Sequence, residues 1–216
     1  DLLLIDGRHG GKVHIAKTPT TIDNQAFGVV SALDATGFPI RGIDLIVHGT
    51  TTTTNAVLER RLAKTGMITT RGFRDVIELG RRTRPQAYGM TGSFVPIIPR
   101  NLRLEVSERV EASGAVRIPL DEAEMRAAVS QLIAAALWPN SYITTGHALL
   151  SEAREFERGV TASVNASVQP ILERYVERLR KELGSKGYAR DFLIMNGNGG
   201  MISARFVTRE SAKTVM

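Results

Sequence analysis

Two hydrophobic periods divide the chain. Apolar runs at residues 2–5, 43–47 and 191–195 read as short buried strands, and alternation at 12–16, 102–106 and 115–118 reads as strands with one face out. Residues 2–17 predict a hairpin, because Asp6-Gly7 and Gly10-Gly11 supply turn chemistry between the first two runs. Helical spacing predicts helices over 23–36, with Phe27, Val30 and Leu33 on one face and Gly37 at the end, and over roughly 54–63. Residues 64–70 form a further strand, with Arg71–Asp75 at the head of the next helix. A helix over 121–137 opens on acids that suit its dipole. Residues 141–145 predict a strand, and 152–183 a long helix that Pro170 breaks or kinks. Its second half places Ile171, Tyr175, Leu179 and Leu183 on one face. Between Gly80 and Arg100 three prolines and three glycines predict a long loop.

The distinctive stretch is His48-Gly49 followed by five threonines, Asn55 and Ala56. It joins a buried strand to a helix start, a place where unpaired amides and hydroxyls can hold an anion or a small polar substrate at the carboxyl edge of a sheet. The plainer reading is that one threonine caps the helix and the rest fill the turn. The strand ending at Thr69-Thr70 leads into Arg71 in a similar way, and the two turns lie close together if their strands are parallel neighbours. Arg81, Arg82 and Arg84 offer planar donors for a carboxylate or phosphate, or else a solvated basic surface. Glu155 and Glu157 are carboxylates on a helix, His147 reads as structural, and Asn196 to Gly200 is a glycine-rich turn after the last strand.

Composition narrows the classes. With 216 residues, 43% of them hydrophobic, the chain can build a substantial core. It holds no cysteine, which excludes disulfides and thiolate metal sites and fits a cytoplasmic protein. No apolar run spans a bilayer, and no membrane partner is expected. The net charge of +6 raises nucleic acid, but the basic residues interleave with acids and no RNA or zinc-finger motif accompanies them, so none is expected as a partner.

The stretch His48, Gly49, Thr50, Thr51, Thr54, Asn55, Ala56 resembles the ATP-dependent hydantoinase and 5-oxoprolinase family at all seven fixed positions of its pattern. Further family-like stretches follow in order at 69–75, 80–85, 99–103, 108–110, 154–158 and 196–200. The resemblance implies an α/β fold of the actin-like ATPase (ribonuclease H-like) type, incomplete in this chain, with a mixed sheet flanked by helices. It implies an N-terminal-type domain over 1–188 and the start of a second domain over 189–216. It further implies ATP with Mg2+, a small-molecule substrate, a second subunit of the hydantoinase B type and a homo-oligomer. The activity implied is phosphorylation and hydrolysis of a cyclic amide such as a hydantoin or 5-oxoproline. A related branch carboxylates ketones, and the piece taken alone could be a silent scaffold. Substrate contacts are expected from His48, Gly49, Thr50, Thr51, Thr54, Asn55, Arg71, Arg81, Arg82 and Arg84. Nucleotide contacts are expected from Asp1, Asn196, Gly197, Asn198, Gly199 and Gly200, with the phosphate turns themselves lying outside the sequence. Relatives carry a further strand, turn and helix after Ala136, so residues are expected to be omitted there, because losing a central strand leaves its neighbours' ladder groups unpaired.

Overall fold

The computed structural model describes residues 1–21, 25–81, 88, 95–137, 140–151 and 154–215. In chain order the strands are β1 (Leu2–Asp6), β2 (Lys12–Ala16), β3 (Val47–His48), β4 (Met67–Thr70), β5 (Arg103–Val106), β6 (Arg109–Val110), β7 (Val116–Ile118), β8 (Leu193–Met195) and β9 (Met201–Ser203). The α-helices are α1 (Gln25–Ala35), α2 (Thr52–Leu58), α3 (Val76–Leu79), α4 (Glu122–Ala134), α5 (Gly146–Leu149) and α6 (Glu155–Ser185). This is an α/β fold, and among the described residues its strands form four small sheets, three of two strands and one of three. The chain divides into two compact units: Asp1–Asn55 with Ile171–Thr208 and Lys213–Met216, and Ala56–Pro170 with Arg209–Ala212. No helix among the described residues is long and apolar enough to cross a membrane.

The first unit begins with the predicted hairpin, β1 antiparallel to β2 and paired from Leu2 with Ala16 to Asp6 with Lys12. Asp6 closes it by accepting from the Arg8 amide at 3.0 Å and bonding His9 Nδ1 at 2.6 Å. Gly10 and Gly11 take φ of +70° and +77°, where a side chain would be strained. The core gathers Ala26, Val30 and Leu33 of α1, Ile194 of β8 and a stripe along α6. That stripe is Leu172, Tyr175, Val176, Leu179 and Leu183, a steady i, i+3, i+4, i+7 face. Tyr175, Leu179 and Leu183 are on the predicted face, while the fourth residue predicted there, Ile171, is only half-buried beside the buried Leu172. Phe27 is likewise on the rim of α1, 39% exposed, with the Arg178 guanidinium 5.6 Å above its ring. Only the end of the predicted 43–47 strand enters a ladder. Ile40–Gly42 is a 3-10 turn, and Ile43 and Ile46 pack on the core without pairing as a strand. The helix after the threonines starts at Thr52, two residues earlier than predicted, and ends at Leu58. Arg60 then turns left-handed at φ 55° and the Arg61 amide bonds the Ala56 carbonyl.

In the second unit β4 runs parallel to β5, from Met67 beside Arg103 to Thr70 beside Val106, while β6 and β7 make a separate antiparallel pair. Ile77, Ile98 and Leu102 form its small core, joined by Met67, Leu137 and Val160. Asp121 caps α4 by accepting from the amides of Ala123 and Glu124, and the early acids Glu122 and Glu124 stand in its first turn as expected. The helix closes with Ala136 left-handed at φ 57°. The junction that follows, Trp138-Pro139, where omitted residues are expected, lies outside the described residues, as does most of the predicted 80–100 loop.

Two expectations are corrected here. Residues 141–145 do not form a strand: among the described residues they have no ladder partner, and side-chain bonds hold them instead, with Asn140 Oδ1 accepting from the Tyr142 amide and Thr144 Oγ1 accepting from Asn165. Of the two readings of Pro170, a break is not met, since α6 is continuous through it. Burial of Val168 on one side and of Leu172 and Val176 on the other anchors both halves, and the Ser167 carbonyl takes a bond from the Ala63 amide.

Asn165, fully buried on α6, is the main polar fastener of the second unit. Its Nδ2 donates to Thr144 Oγ1 at 3.0 Å and to the Arg209 carbonyl at 3.2 Å, and its Oδ1 accepts from the Ala212 amide at 2.9 Å. Asn165→Ala leaves that amide and carbonyl without partners, and is expected to lower unfolding free energy by about 3 kcal/mol, measured by urea denaturation. Asn165→Asp, which keeps the acceptor for Ala212, is expected to lose less at low pH, where its carboxyl can still donate.

Candidate functional site

The parallel pairing of β3 with β8 sets Val47 beside Leu193 and His48 beside Ile194. The chain therefore leaves both strands at the same sheet edge, into Gly49–Thr51 on one side and Asn196–Gly200 on the other. The carboxyl edge of parallel strands is where open α/β sheets bind ligands. Two of the stretches singled out by sequence thus share one edge in the first unit. A third segment ties them together, since the Lys213 carbonyl accepts from the Gly197 amide at 2.8 Å and Thr214 bonds Thr53.

The five threonines do different jobs. Thr53 is fully buried and bonds both Thr214 Oγ1 at 2.9 Å and the Thr214 carbonyl at 3.1 Å. Thr50, 6% exposed, accepts from the Thr52 amide and shares a 2.8 Å bond with the Thr52 hydroxyl. Thr52 in turn donates to Gln25 Oε1 of α1 at 2.8 Å. Thr54 is half-buried, while Thr51 and Asn55 are exposed, with Asn55 Nδ2 3.5 Å from Thr51 Oγ1. The turn is therefore part cap and filler, as the plainer reading has it, and part outward-facing donor set.

His48 faces inward. Its Nε2 lies 2.5 Å from the Tyr175 hydroxyl, and burial pulls its pKa down to about 4, so the ring is neutral at pH 7. Burial pushes Tyr175 up to about 12, against a bond from Thr50 that works the other way. Sequence reasoning placed Tyr175 in the core and did not find its hydroxyl's role. The signal was weak, because a helical tyrosine 127 residues away from a histidine carries no spacing rule.

In the glycine turn, β8 and β9 form a hairpin. The Asn196 amide donates to the Gly200 carbonyl, the Gly199 amide to the Asn196 carbonyl, and the Gly200 amide to Asn198 Oδ1. Together with Gly197, four of its amides are engaged within the chain. Gly199, at φ +82°, supplies the left-handed position the turn requires. The turn by itself is a closed hairpin and does not form a cradle for phosphate oxygens. Asp1 is exposed ahead of β1, with Lys17 Nζ 3.6 Å away.

The arginine candidates belong to the second unit. Arg71 follows β4 and donates to Ser107 Oγ at 3.0 Å and to Glu124 at 2.5 Å. Bonds from the Ser107 amide and hydroxyl, aided by Arg71, hold the Glu124 carboxyl below its usual pKa. Arg81 pairs with Glu157 at 3.0 Å, so that helix carboxylate has a structural partner. Arg82 and Arg84 lie outside the described residues. The expectation that β3 and β4 are parallel neighbours is not met: β3 pairs with β8, and β4 with β5, whose Arg103 is buried against Asp75 and Glu78. Such a buried guanidinium needs its carboxylates on the adjoining turn. His147 is exposed on the short α5, and no cluster of three or more metal-ligating side chains occurs among the described residues.

The state of His48 links the site to stability. Its folded pKa lies below the ordinary 6.5, so the unfolded chain binds a proton first as pH falls. The neutral ring's contribution is complete above about pH 6.5 and is expected to fall by up to about 3 kcal/mol as pH drops toward 4. Denaturation midpoints of wild type and His48→Gln between pH 7 and pH 4 check this, the variant showing the shallower dependence.

Comparison with known proteins follows the same outline. Residues 1–155 match the hydantoinase/oxoprolinase N-terminal region and residues 158–216 match hydantoinase/oxoprolinase. The chain is 29% identical over 254 aligned positions to the caprolactamase subunit alpha of Pseudomonas jessenii, covering 98% of the chain and 36% of that protein. It is 27% identical to the acetophenone carboxylase gamma subunit of Aromatoleum aromaticum, covering 88% of the chain and 33% of that protein. A nucleotide-free structure of acetone carboxylase shares its fold, with a TM-score of 0.82 at 21% identity over 99% of the chain and 36% of that structure. The chain spans about a third of the length of these relatives, and the 254 aligned positions exceed its 216 residues, so the caprolactamase subunit carries residues that this chain lacks. With its matched residues reaching from one end to the other, the chain belongs to the hydantoinase/oxoprolinase family.

Proposed function

We propose that this chain is part of an ATP-dependent enzyme that opens a cyclic amide, and that the threonine turn after β3 binds the amide's carbonyl group. The carrying observation is the shared edge of β3 and β8, which brings the family's threonine stretch and the glycine turn together with Lys213 and Thr214. In this reading Thr51 and Asn55, exposed at the turn, donate hydrogen bonds to the substrate oxygen and orient it, while Gly49 allows close approach of the backbone. Thr50 and Thr54 shape the turn, and His48 holds it from behind as a neutral group. Arg71, Arg81, Arg82 and Arg84 remain candidates for a substrate carboxylate, with Arg71 and Arg81 first having to leave Glu124 and Glu157.

When bound, ATP would supply a phosphoryl group to the amide oxygen, making the ring carbon a better electrophile for water, so that the ring C–N bond breaks and the products are a carboxylate, the freed amine and phosphate; Mg2+ is proposed as the counter-ion of ATP. The assignment of Asp1 and residues 196–200 to the nucleotide rests on family likeness alone, since four amides of the glycine turn are engaged within the chain. The second subunit belongs to the same proposal, supported by relatives that are themselves named as subunits, and the homo-oligomer is proposed with it on family likeness alone. Ketone carboxylation is the second reading, favoured by the acetone carboxylase fold match.

Phosphate release separates these readings. The intact protein with its partner subunit is expected to release inorganic phosphate from ATP when a lactam, a hydantoin or 5-oxoproline is added, without bicarbonate; release that requires both a ketone and bicarbonate establishes the carboxylase instead. Release with neither substrate class overturns both. Thr51→Ala is expected to lower kcat/KM by about tenfold through loss of one hydrogen bond to the developing charge, with Thr51→Ser retaining most activity.

A further inference from the structure

Residues 213 and 214 are neighbours in sequence that serve two different turns of the candidate edge, all within the first unit. The Lys213 carbonyl accepts from the Gly197 amide of the glycine turn at 2.8 Å. Thr214 is fully buried and meets Thr53 of α2, also fully buried, through its hydroxyl at 2.9 Å and its carbonyl at 3.1 Å. We propose that Thr214 is a positioning residue: through Thr53 it sets the angle of α2, and through the Lys213 carbonyl the place of Gly197, so that one dipeptide fixes the threonine turn relative to the glycine turn. This rests on the reading of the threonine turn as a carbonyl-binding element and names what holds it in register with the other side of the edge.

Helix geometry makes Thr53 the lever. The Asn55 amide donates to the Thr51 carbonyl at 2.8 Å, which places Thr51 in the first helical turn. An α-helix turns by about 100° per residue, so Thr51 and Asn55, four apart, share a face, and Thr53, two residues from each, stands about 200° round on the opposite one. A rotation of the helix start that moves the exposed Thr51 and Asn55 therefore drags Thr53 against Thr214. Both bonds of Thr53 are satisfied at once when its hydroxyl donates to the Thr214 carbonyl and the Thr214 hydroxyl donates to Thr53 Oγ1, so that each hydroxyl gives its one proton. Both residues are closed to water, and no solvent takes over a bond that rotation breaks, so this pair resists turning more than an exposed one. Thr52 braces α2 from another side by donating to Gln25 Oε1 at 2.8 Å, but that brace ends on α1.

The two braces give a test that needs no substrate. In the intact protein, hydrogen exchange resolved to single amides is expected to quicken about tenfold at Gly197 in Thr53→Val and in Thr214→Val, while the Leu193 amide of β8, bonded to the Ile46 carbonyl, keeps its protection. Thr53→Ser and Thr214→Ser keep the hydroxyls and are expected to restore Gly197. Thr52→Val removes only the brace to α1 and is expected to leave Gly197 as it was. Unchanged exchange at Gly197 in the valine variants, equal quickening in Thr52→Val, or a loss that extends to Leu193, overturns the proposal. In the enzyme with its partner subunit, Thr214→Val is expected to release severalfold more phosphate per carbonyl substrate converted than wild type, a ratio that loss of folded protein does not move. The wild-type ratio in that variant overturns the positioning role. The Gly197 response in a protein that turns over no carbonyl substrate supports the link between the turns and overturns the proposed function.

Discussion

The parallel pairing of β3 with β8 is only two residue pairs long, yet the candidate site depends on it. Two pairs cannot hold a strand by themselves, since an isolated ladder of that size is far below what sheets need in water. What holds it is the core beneath, where Ile194, Phe192 and Tyr188 meet the α6 stripe and α1. Burial of such side chains contributes roughly 1.5–3 kcal/mol each, which outweighs the few net hydrogen bonds of the ladder. The packing fixes β8, β8 fixes the register of β3, and the register decides that residues 49–51 and 196–200 leave one edge.

Within that edge, neutral hydrogen bonds do the orienting. Thr53 is fixed by Thr214, Thr52 by Gln25, and Thr50 by its neighbours, so the backbone of the turn has few ways to move. Charge is handled elsewhere in the chain. In the second unit Asp75, Glu78, Glu105 and Glu124 each take an arginine or a backbone amide, and Arg100 sits on Asp75 with both nitrogens near 3 Å. The exposed pairs among these add little stability singly, but with the buried Arg103 they define the conformation of residues 71–75. The arginine excess that first pointed to an anionic ligand is therefore largely matched by acids where the chain is described.

Sequence made much of this visible, for physical reasons that differ from one element to the next. The β1–β2 hairpin and the start of α4 were legible because turn glycines and helix-opening acids act locally. The threonine turn was legible as a strand-to-helix junction, and its family pattern gave the rest. The β3 to β8 pairing was not, because 145 residues separate the two strands and nothing local encodes which strand a short apolar run will choose. For the same reason β4 found β5 rather than β3. The predicted strand at 141–145 failed in the opposite direction: its alternation was real, but a strand exists only with a partner, and Asn165 and Asn140 supply the bonds a ladder would have made.

Threonine also explains why counting hydroxyls overstates a site. Five in a row look like five ligands, yet a hydroxyl that ends below 10% exposure in this fold has already been given a protein acceptor, as Thr50 and Thr53 have. Burial of an unpaired hydroxyl costs on the order of 1–3 kcal/mol, so folding selects against leaving one inside for a ligand that is not always present. The outward pair, Thr51 and Asn55, escapes that pressure because water satisfies it when no ligand does. A hydroxyl-rich turn at a sheet edge thus sorts itself into scaffold and contact by exposure, and the contact set is the smaller of the two.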